Sequence, residues 1–234
     1  MIFGAILAGG VGTRMGNSEK PKQYMLVGGK PIIAYTVEAF SCCSKIDITI
    51  VLCPNDWVAY TNDLLTSNGI DMNKVVVTAG GTMRNDTIMN AVNYIEEHYE
   101  LNDDTVILTH DAVRPFVTER IIEDNINTVM KYGACDTVIA ATDTIVESTN
   151  GKVITNIPDR AYLYQGQTPQ SFKAKAFKEL YSSLTEQEKE VLTDAAKVFV
   201  LKGQAVNLVR GETYNIKITY PSDLQLAESL LGDN

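Results

Sequence analysis

Residues 74–99 read "KVVVTAGGTMRNDTIMNAVNYIEEHY". The opening run is rich in β-branched apolar residues, and Gly80-Gly81 ends it. Ile88, Ala91, Val92 and Ile95 then recur at i, i+3, i+4 and i+7, which marks one face of an α-helix. This is a strand followed at once by a helix, and the same unit repeats on either side. Ile2–Ala8 precedes a helical pattern near Pro31–Cys42, "IDITIVLC" (46–53) precedes one near Asn55–Ser67, and "TVILTH" (105–110) leads into one near Thr118–Tyr132. Near-continuous apolar strands alternating with helices predict right-handed βαβ units. The expected fold is therefore α/β and Rossmann-like: a mostly parallel twisted sheet with helices on both faces.

From residue 134 the texture changes. "CDTVIAATDTIVESTNGKVITNIPDRAYLYQGQTPQ" is rich in β-formers and contains the hairpin-like Thr149-Asn150-Gly151, so an antiparallel excursion is expected, with a projecting β-arm at about 142–166. Helical patterns return at 173–184 and 186–199, a short strand is expected near 205–209, and a last helix starts at Pro221. Neither a repeat nor a low-complexity linker divides the chain, which predicts one domain over residues 1–234.

The chain has 234 residues, 45% of them hydrophobic and 21% charged, with both signs interspersed, the profile of a chain that folds alone. Its formal charge of −9, without any long basic run, argues against nucleic acid or an anionic membrane as a partner. It leaves room for a small anion, because a phosphate site needs only a few converging cations and backbone N–H groups. Cys42, Cys43, Cys53 and Cys135 form no CxxC pair, and no histidine stands at metal-ligand spacing, which disfavours zinc. Adjacent cysteines without a signal-peptide pattern suggest reduced thiols and a cytoplasmic protein. No apolar stretch approaches the ~18 residues of a membrane span.

Ligands of such sheets bind at the carboxyl ends of the strands. Three segments fall there: "AGGVGTR" (8–14), "AGGTMRNDT" (79–87) and "HDAVRPF" (110–116). The first continues into "MGNSEKPKQY" (15–24) and is glycine-rich, yet it has no GxxxxGK[ST]. Nor does Gly10-Val11-Gly12-Thr13-Arg14-Met15-Gly16 fit G-x-G-x-x-G. What remains is a loop whose glycines admit backbone N–H groups to an anion, with Arg14 and Lys22 set to hold charge on different phosphates.

Taken together, "LAGGVGTRMG…PKQY", "AGGTMRNDT", "HDAVRPF" and "QTPQ" resemble the sugar-nucleotide cytidylyltransferases, the family that contains the 4-diphosphocytidyl-2-C-methyl-D-erythritol and D-ribitol-5-phosphate enzymes. The likeness runs from about residue 2 to about residue 230. "DTIVESTNG", "YLYQGQTPQ" and "EKEVLTDAAKVFV" look like the ribitol-phosphate branch, which supplies CDP-ribitol for wall teichoic acid and related polymers. The resemblance implies transfer of CMP from CTP to D-ribitol 5-phosphate with release of pyrophosphate. The alternatives are a 2-C-methyl-D-erythritol 4-phosphate acceptor, or a nucleotide-binding sensor without turnover.

The resemblance also implies roles for particular residues. Arg14 and Lys22 would be catalytic, neutralising charge at the α-phosphate. Leu7, Ala8, Gly9, Gly10, Gly12 and Thr13 would wrap the triphosphate. Gly80, Gly81, Thr82, Arg84, Asn85 and Thr87 would form the segment that reads cytosine, with Thr82 also able to cap the following helix. Asp111 would hold Mg²⁺ or a similar divalent cation against the phosphates of CTP, while His110 and Arg114 would be structural. Arg160, Lys217 and Thr144 would take the acceptor's phosphate, with Arg160 and Thr144 serving the neighbouring subunit of a homodimer joined through the β-arm. The methylerythritol branch has an aspartate before Asn-Ile-Lys where this chain has Tyr214, so the metal would rest on one protein carboxylate.

Overall fold

The computed structural model describes residues 1–10 and 20–232. Seven strands form one sheet: β1 (Ile2–Leu7), β4 (Ile48–Cys53), β5 (Val75–Ala79), β6 (Val106–Asp111), β7 (Ala134–Ala140), β8 (Tyr164–Lys173) and β9 (Asn207–Arg210). Their order is β5-β4-β1-β6-β8-β7-β9. Only β8 runs against the rest, since it pairs antiparallel with both β6 and β7 while β9 pairs parallel with β7. The short strands β2 (Leu26–Val27) and β3 (Lys30–Pro31) make a separate hairpin.

The helices are α1 (Ile32–Ser41), α2 (Val58–Ser67), α3 (Arg84–His98), α4 (Glu119–Tyr132), α5 (Ala174–Ser182), α6 (Glu186–Glu190), α7 (Ala196–Leu201) and α8 (Pro221–Gly232). They cover both faces of the sheet because successive strand residues point to opposite sides. Ile6, Val51 and Leu108 pack against α1, α2 and α4 through Phe40, Leu65 and Ile122. Phe3, Ile50, Leu52 and Ile107 face the other way and pack against α3, α5 and α7, where the Ile88–Ala91–Val92–Ile95 stripe is fully buried. A third cluster of Val27, Ile32, Val113, Ile218 and Ala227 fastens the C-terminal segment over the loop that follows β6. Ile218 N–H donates to the Val113 carbonyl at 2.9 Å, which brings Lys217 to the end of β6.

Two expectations need correction. The β-rich stretch from 134 does not leave the sheet as a whole: β7 joins it in parallel sense, and residues 164–166 are already paired as β8. Only the intervening residues 141–163 lie outside it, with a single bridge between Glu147 and Asn156. The helical pattern at 186–199 is broken between α6 and α7, because the Asp194 carboxylate accepts from Lys197 N–H at 2.9 Å and starts a new helix. Among the described residues no helix is long and apolar enough to cross a membrane.

The sheet tolerates little change at its centre. A Cβ on Gly4 would stand 2.6 Å from Phe40 Cδ1, and the ring, itself fully buried, has nowhere to move. Gly4→Ala should therefore cost about 1–3 kcal/mol of unfolding free energy through overpacking. Urea denaturation measures it, and a midpoint equal to that of the unsubstituted protein would refute the packing assignment.

Candidate active site

The loops after β1, β5 and β6 close around a cavity of about 430 Å³. Leu7, Ala8, Gly9 and Gly10 form one wall, and Gly81, Thr82, Arg84 and Thr87 another. Asp111 and Lys217 lie between them, and Lys22 and Gln23 complete the lining. Each wall has a local cause. Gln23 Nε2 donates to the Ala8 carbonyl at 2.6 Å and ties the loop's far end back to its start. Gly81 N–H donates to Thr87 Oγ1 at 3.0 Å, and a Cβ on Gly81 would stand 2.5 Å from Asp86 Cβ, so only glycine fits this turn. Thr82 is not the cap of α3. That place falls to Met83, whose N–H donates to Asp86 Oδ2 at 3.2 Å, while Thr82 Oγ1 donates to the same oxygen.

Asp111 is the electrostatic centre. Arg84 Nη1 contacts its Oδ1, while Lys217 Nζ (2.9 Å) and Arg114 Nε (3.5 Å) meet its Oδ2. Burial alone would raise the pKa of this carboxyl, but Arg84, Lys217 and Arg114 together hold it far below the usual carboxylate range. Asp111 is thus ionised, and it keeps three like charges together at the end of β6. The adjacent His110 is fully buried, and burial pushes its pKa down to about 4. Its Nε2 lies 3.1 Å from the Arg114 carbonyl, which can only accept, and its Nδ1 lies 2.9 Å from Thr168 Oγ1, which in turn accepts from Asp111 N–H. A neutral imidazole satisfied at both nitrogens is a structural post with no proton to trade.

A second, smaller cavity of about 150 Å³ adjoins the first and shares Arg84, Asp111 and Lys217 with it. Arg114, Gly166, Gln167, Thr168, Gln170, Thr193 and Asp194 line the rest. Asn215, fully buried, pins the Asn-Ile-Lys segment to β8 through Nδ2 to the Thr168 carbonyl (2.9 Å) and Gln167 Oε1 (3.2 Å). Its own carbonyl accepts from Arg114 Nη1 at 2.7 Å.

Most of the residues read from sequence converge here: Leu7, Ala8, Gly9, Gly10, Lys22, Gly81, Thr82, Arg84, Thr87, Asp111 and Lys217 all line the larger cavity. Lys22 is buried, and its Nζ donates to the Ile218 carbonyl at 3.1 Å. Gly80 lies just outside the lining, its N–H given to the Cys53 carbonyl. Asn85 turns away from the cavity toward the Asp194 carbonyl, 3.5 Å from its Nδ2. Arg160 and Thr144 are exposed on the 141–163 segment, where Arg160 Nη1 donates to the Thr142 carbonyl, and neither lines either of these two cavities. Gly12, Thr13 and Arg14 lie outside the described residues.

Gln23, Thr193, Asp194 and Asn215, which line or support the cavities, were not read from the sequence as site residues, and neither was Asp136, which lies outside both linings. Gln23 and Asn215 sit within or beside motifs that were, whereas nothing local marks Asp136, which faces Gln170 in the β7–β8 ladder. Burial pushes the Asp136 carboxyl up to about 7; Asp194 adds to the rise, while Gln170 and Arg84 oppose it. Because the folded-state value lies above the unfolded value of about 4, the folded protein holds this proton more tightly. Stability from this group is complete below about pH 4 and declines as pH rises to about 7. Asp136→Asn removes that decline, so its melting temperature should gain on the wild type between pH 5 and pH 8. A constant gap in scanning fluorimetry would show that Asp136 is not desolvated.

A divalent cation suits this donor set only in part. Among the described residues no cluster of three His, Cys, Asp or Glu side chains exists, and Asp111 is the one carboxylate lining the larger cavity. A single carboxylate matches an ion that arrives with phosphates and keeps several waters, as Mg²⁺ does.

The comparisons agree with this geometry. The chain is 50% identical over 231 residues to the ribitol-5-phosphate cytidylyltransferase of Lactiplantibacillus plantarum, covering 99% of this chain and 98% of that one. It superposes with a TM-score of 0.80 on the 4-diphosphocytidyl-2C-methyl-D-erythritol synthase of Anaerococcus prevotii, at 27% identity and over 99% and 96% of the two chains. The TM-score is also 0.80 for the 2-C-methyl-D-erythritol 4-phosphate cytidylyltransferase of Francisella tularensis, at 27% identity and over 97% and 98%. The family model described as IspD, 2-C-methyl-D-erythritol 4-phosphate cytidylyltransferase, matches residues 2–233, and the chain belongs to that cytidylyltransferase family.

Proposed function

We propose that this protein transfers the cytidylyl group of CTP to D-ribitol 5-phosphate, giving CDP-ribitol and pyrophosphate for ribitol-phosphate wall polymers such as teichoic acid. The observation that carries this reading is the 50% identity to a ribitol-5-phosphate cytidylyltransferase over nearly the whole of both chains. The paired cavities support it. The larger takes the nucleotide and the smaller the acceptor, with Arg84, Asp111 and Lys217 between them where the two anions must meet.

In the reaction a phosphate oxygen of the acceptor attacks the α-phosphorus in line. The new P–O bond forms as the bond to the bridging oxygen of the β-phosphate breaks, and pyrophosphate leaves with that electron pair. No general base is needed, because the second pKa of a phosphate monoester is ~6 and the nucleophile is largely dianionic at neutral pH. The demand on the protein is instead to bring two polyanions together and steady the charge that builds on the leaving group. Lys217 and Arg84 would offset acceptor charge, and Lys22 and Arg14 that of the triphosphate. Gly81 and its neighbours would meet the base with backbone groups, and this narrow turn disfavours a purine.

Asp111 would hold Mg²⁺, which supplies further neutralisation of the phosphates. Residues 141–163 would join two subunits, with Arg160 and Thr144 reaching the neighbour's acceptor site. The exposure of Val146, Val153, Ile154, Ile157 and Tyr162 on this segment supports that reading. On this account the enzyme works in the cytoplasm, where CTP is available.

Pyrophosphate release measured with CTP and each acceptor tests the proposal. D-Ribitol 5-phosphate should give a kcat/KM at least tenfold above that of 2-C-methyl-D-erythritol 4-phosphate, and the reverse ranking would transfer the assignment to the methylerythritol acceptor. The division of cations should appear as a split in kinetic constants. Lys22→Ala should lower kcat far more than it weakens CTP binding, whereas Lys217→Ala should raise the KM for the acceptor and leave that for CTP nearly unchanged. A main effect of Lys217→Ala on CTP would remove it from the acceptor site.

A further inference from the structure

Both oxygens of the Asp111 carboxylate are already in use. Arg84 Nη1 takes Oδ1, while Lys217 Nζ and Arg114 Nε share Oδ2 at 2.9 and 3.5 Å. For this carboxylate also to hold a divalent cation against the phosphates of CTP, one of the three protein cations has to give up its place, because a divalent ion and a neighbouring protein cation repel strongly where little water screens them. Which one leaves is decided by how each is held.

Arg114 is the most enclosed, with 10% of its side chain exposed. Its Nη1 donates to the Asn215 carbonyl at 2.7 Å and its N–H to the Asp111 carbonyl at 3.1 Å, so guanidinium and backbone are both fixed. Arg84 is 25% exposed and holds the opposite oxygen from the first residue of α3. Lys217 is 40% exposed, and among the described residues Asp111 is the one partner of its ammonium group. Its backbone, by contrast, is anchored: the Lys217 carbonyl accepts from Thr219 Oγ1 at 3.0 Å, and the next residue, Ile218, gives its N–H to the Val113 carbonyl. A lysine carries its charge as a point on a flexible four-carbon stem, whereas the arginine fork is planar and binds a carboxylate in a fixed orientation. Lys217 can therefore leave Oδ2 by side-chain rotation alone, without disturbing the segment that carries it.

It also has somewhere to go. Lys217 lines both the larger and the smaller cavity, and Asp111 stands at their junction. Arg84 and Arg114 would stay on the carboxylate, so its charge remains balanced after the lysine has turned away.

We propose that Lys217 is a stand-in for the divalent cation at Asp111. Its ammonium group occupies Oδ2 until the ion arrives with the nucleotide; it then turns toward the smaller cavity and takes the phosphate of the acceptor. The inference rests on the reading of the protein as a polyol-phosphate cytidylyltransferase with a divalent cation at Asp111. It gives one lysine two successive partners, and it ties the filling of the nucleotide site to the readiness of the acceptor site.

The test uses the full chain with Mn²⁺ and CTP but no acceptor, so that no transfer occurs, and follows free Mn²⁺ by electron paramagnetic resonance. Lys217→Met, close in length and without the charge, should lower the half-saturating Mn²⁺ concentration about threefold, a change small beside its loss of acceptor affinity. Lys217→Arg keeps a cation on the carboxylate and should gain nothing. Asp111→Asn should weaken Mn²⁺ binding at least tenfold, and adding Lys217→Met to it should change that affinity less than twofold, since the lysine then has no carboxylate to contest. A second measurement reads the other end of the exchange. With a CTP analogue whose α–β bridging oxygen is replaced by a methylene group, wild type should bind D-ribitol 5-phosphate at least threefold more tightly in Mn²⁺ than in EDTA, and Lys217→Met should lose that difference. If Asp111→Asn fails to fold, the arginine variant and this second measurement carry the test. Mn²⁺ affinity unchanged or weaker in Lys217→Met, the same gain in Lys217→Arg, the same gain with and without the Asp111 carboxylate, wild-type Mn²⁺ affinity in Asp111→Asn, or a Mn²⁺ dependence of acceptor binding retained in Lys217→Met overturns the proposal. Pyrophosphate release by the wild type with D-ribitol 5-phosphate would then leave the cytidylyltransferase reading standing. Absence of turnover by the wild type with any polyol phosphate overturns both.

Discussion

One carboxylate organises the site. Asp111 ends β6, the middle strand of the seven, and it is the common partner of Arg84 from α3, Arg114 from the following turn and Lys217 from the C-terminal segment. Without it, three cations drawn from distant parts of the chain would face one another in a partly buried place, where like charges repel strongly. With it, they are held together before any anion arrives. Buried ion pairs of this kind contribute little net stability, because desolvation offsets much of the Coulombic gain. Their value here lies in arrangement. An anion entering either cavity would find cations already turned toward the junction, with the ordering entropy of those side chains met on folding.

The same hub explains why surrounding residues look structural. His110 supports the turn through the Arg114 carbonyl and Thr168, and Thr168 in turn receives Asp111 N–H. Asn215 then joins Thr168, Gln167 and Arg114, so β6, β8 and the Asn-Ile-Lys segment share one buried network. Lys217 is partly exposed, yet its backbone is fixed on both sides, by Asn215 before it and by the Ile218–Val113 hydrogen bond after it. A lysine on a restrained backbone keeps its reach while losing little freedom when an anion binds.

How much of this was legible in the sequence follows from the range over which each feature is determined. The βα order was legible because its signals are local: apolar runs, a helical stripe at Ile88–Ala91–Val92–Ile95, and glycines where strands end. The strand-end loops gave most of the larger cavity for the same reason, since an α/β sheet brings those loops to one edge. What failed was whatever depends on a partner far away in the chain. Thr82 has the chemistry of an N-cap, but Asp86 reaches back to Met83 and takes that role. The β-rich residues 134–140 look like an excursion by composition; they join the sheet because β8, far downstream, runs between them and β6. Asp136 is invisible to any local rule, since its environment is made by Gly166, Gln170, Asp194 and Arg84, residues that meet only in the fold.

The two aspartates then stand as opposites. Asp111 is buried and oversupplied with cations, so its charge is secure; Asp136 is partly buried with its Oδ1 unpaired, and desolvation favours its neutral form. The protein thus keeps its ionised carboxylate where cations converge at the end of β6, and holds a second one neutral on the β7–β8 ladder, where desolvation makes a charge costly.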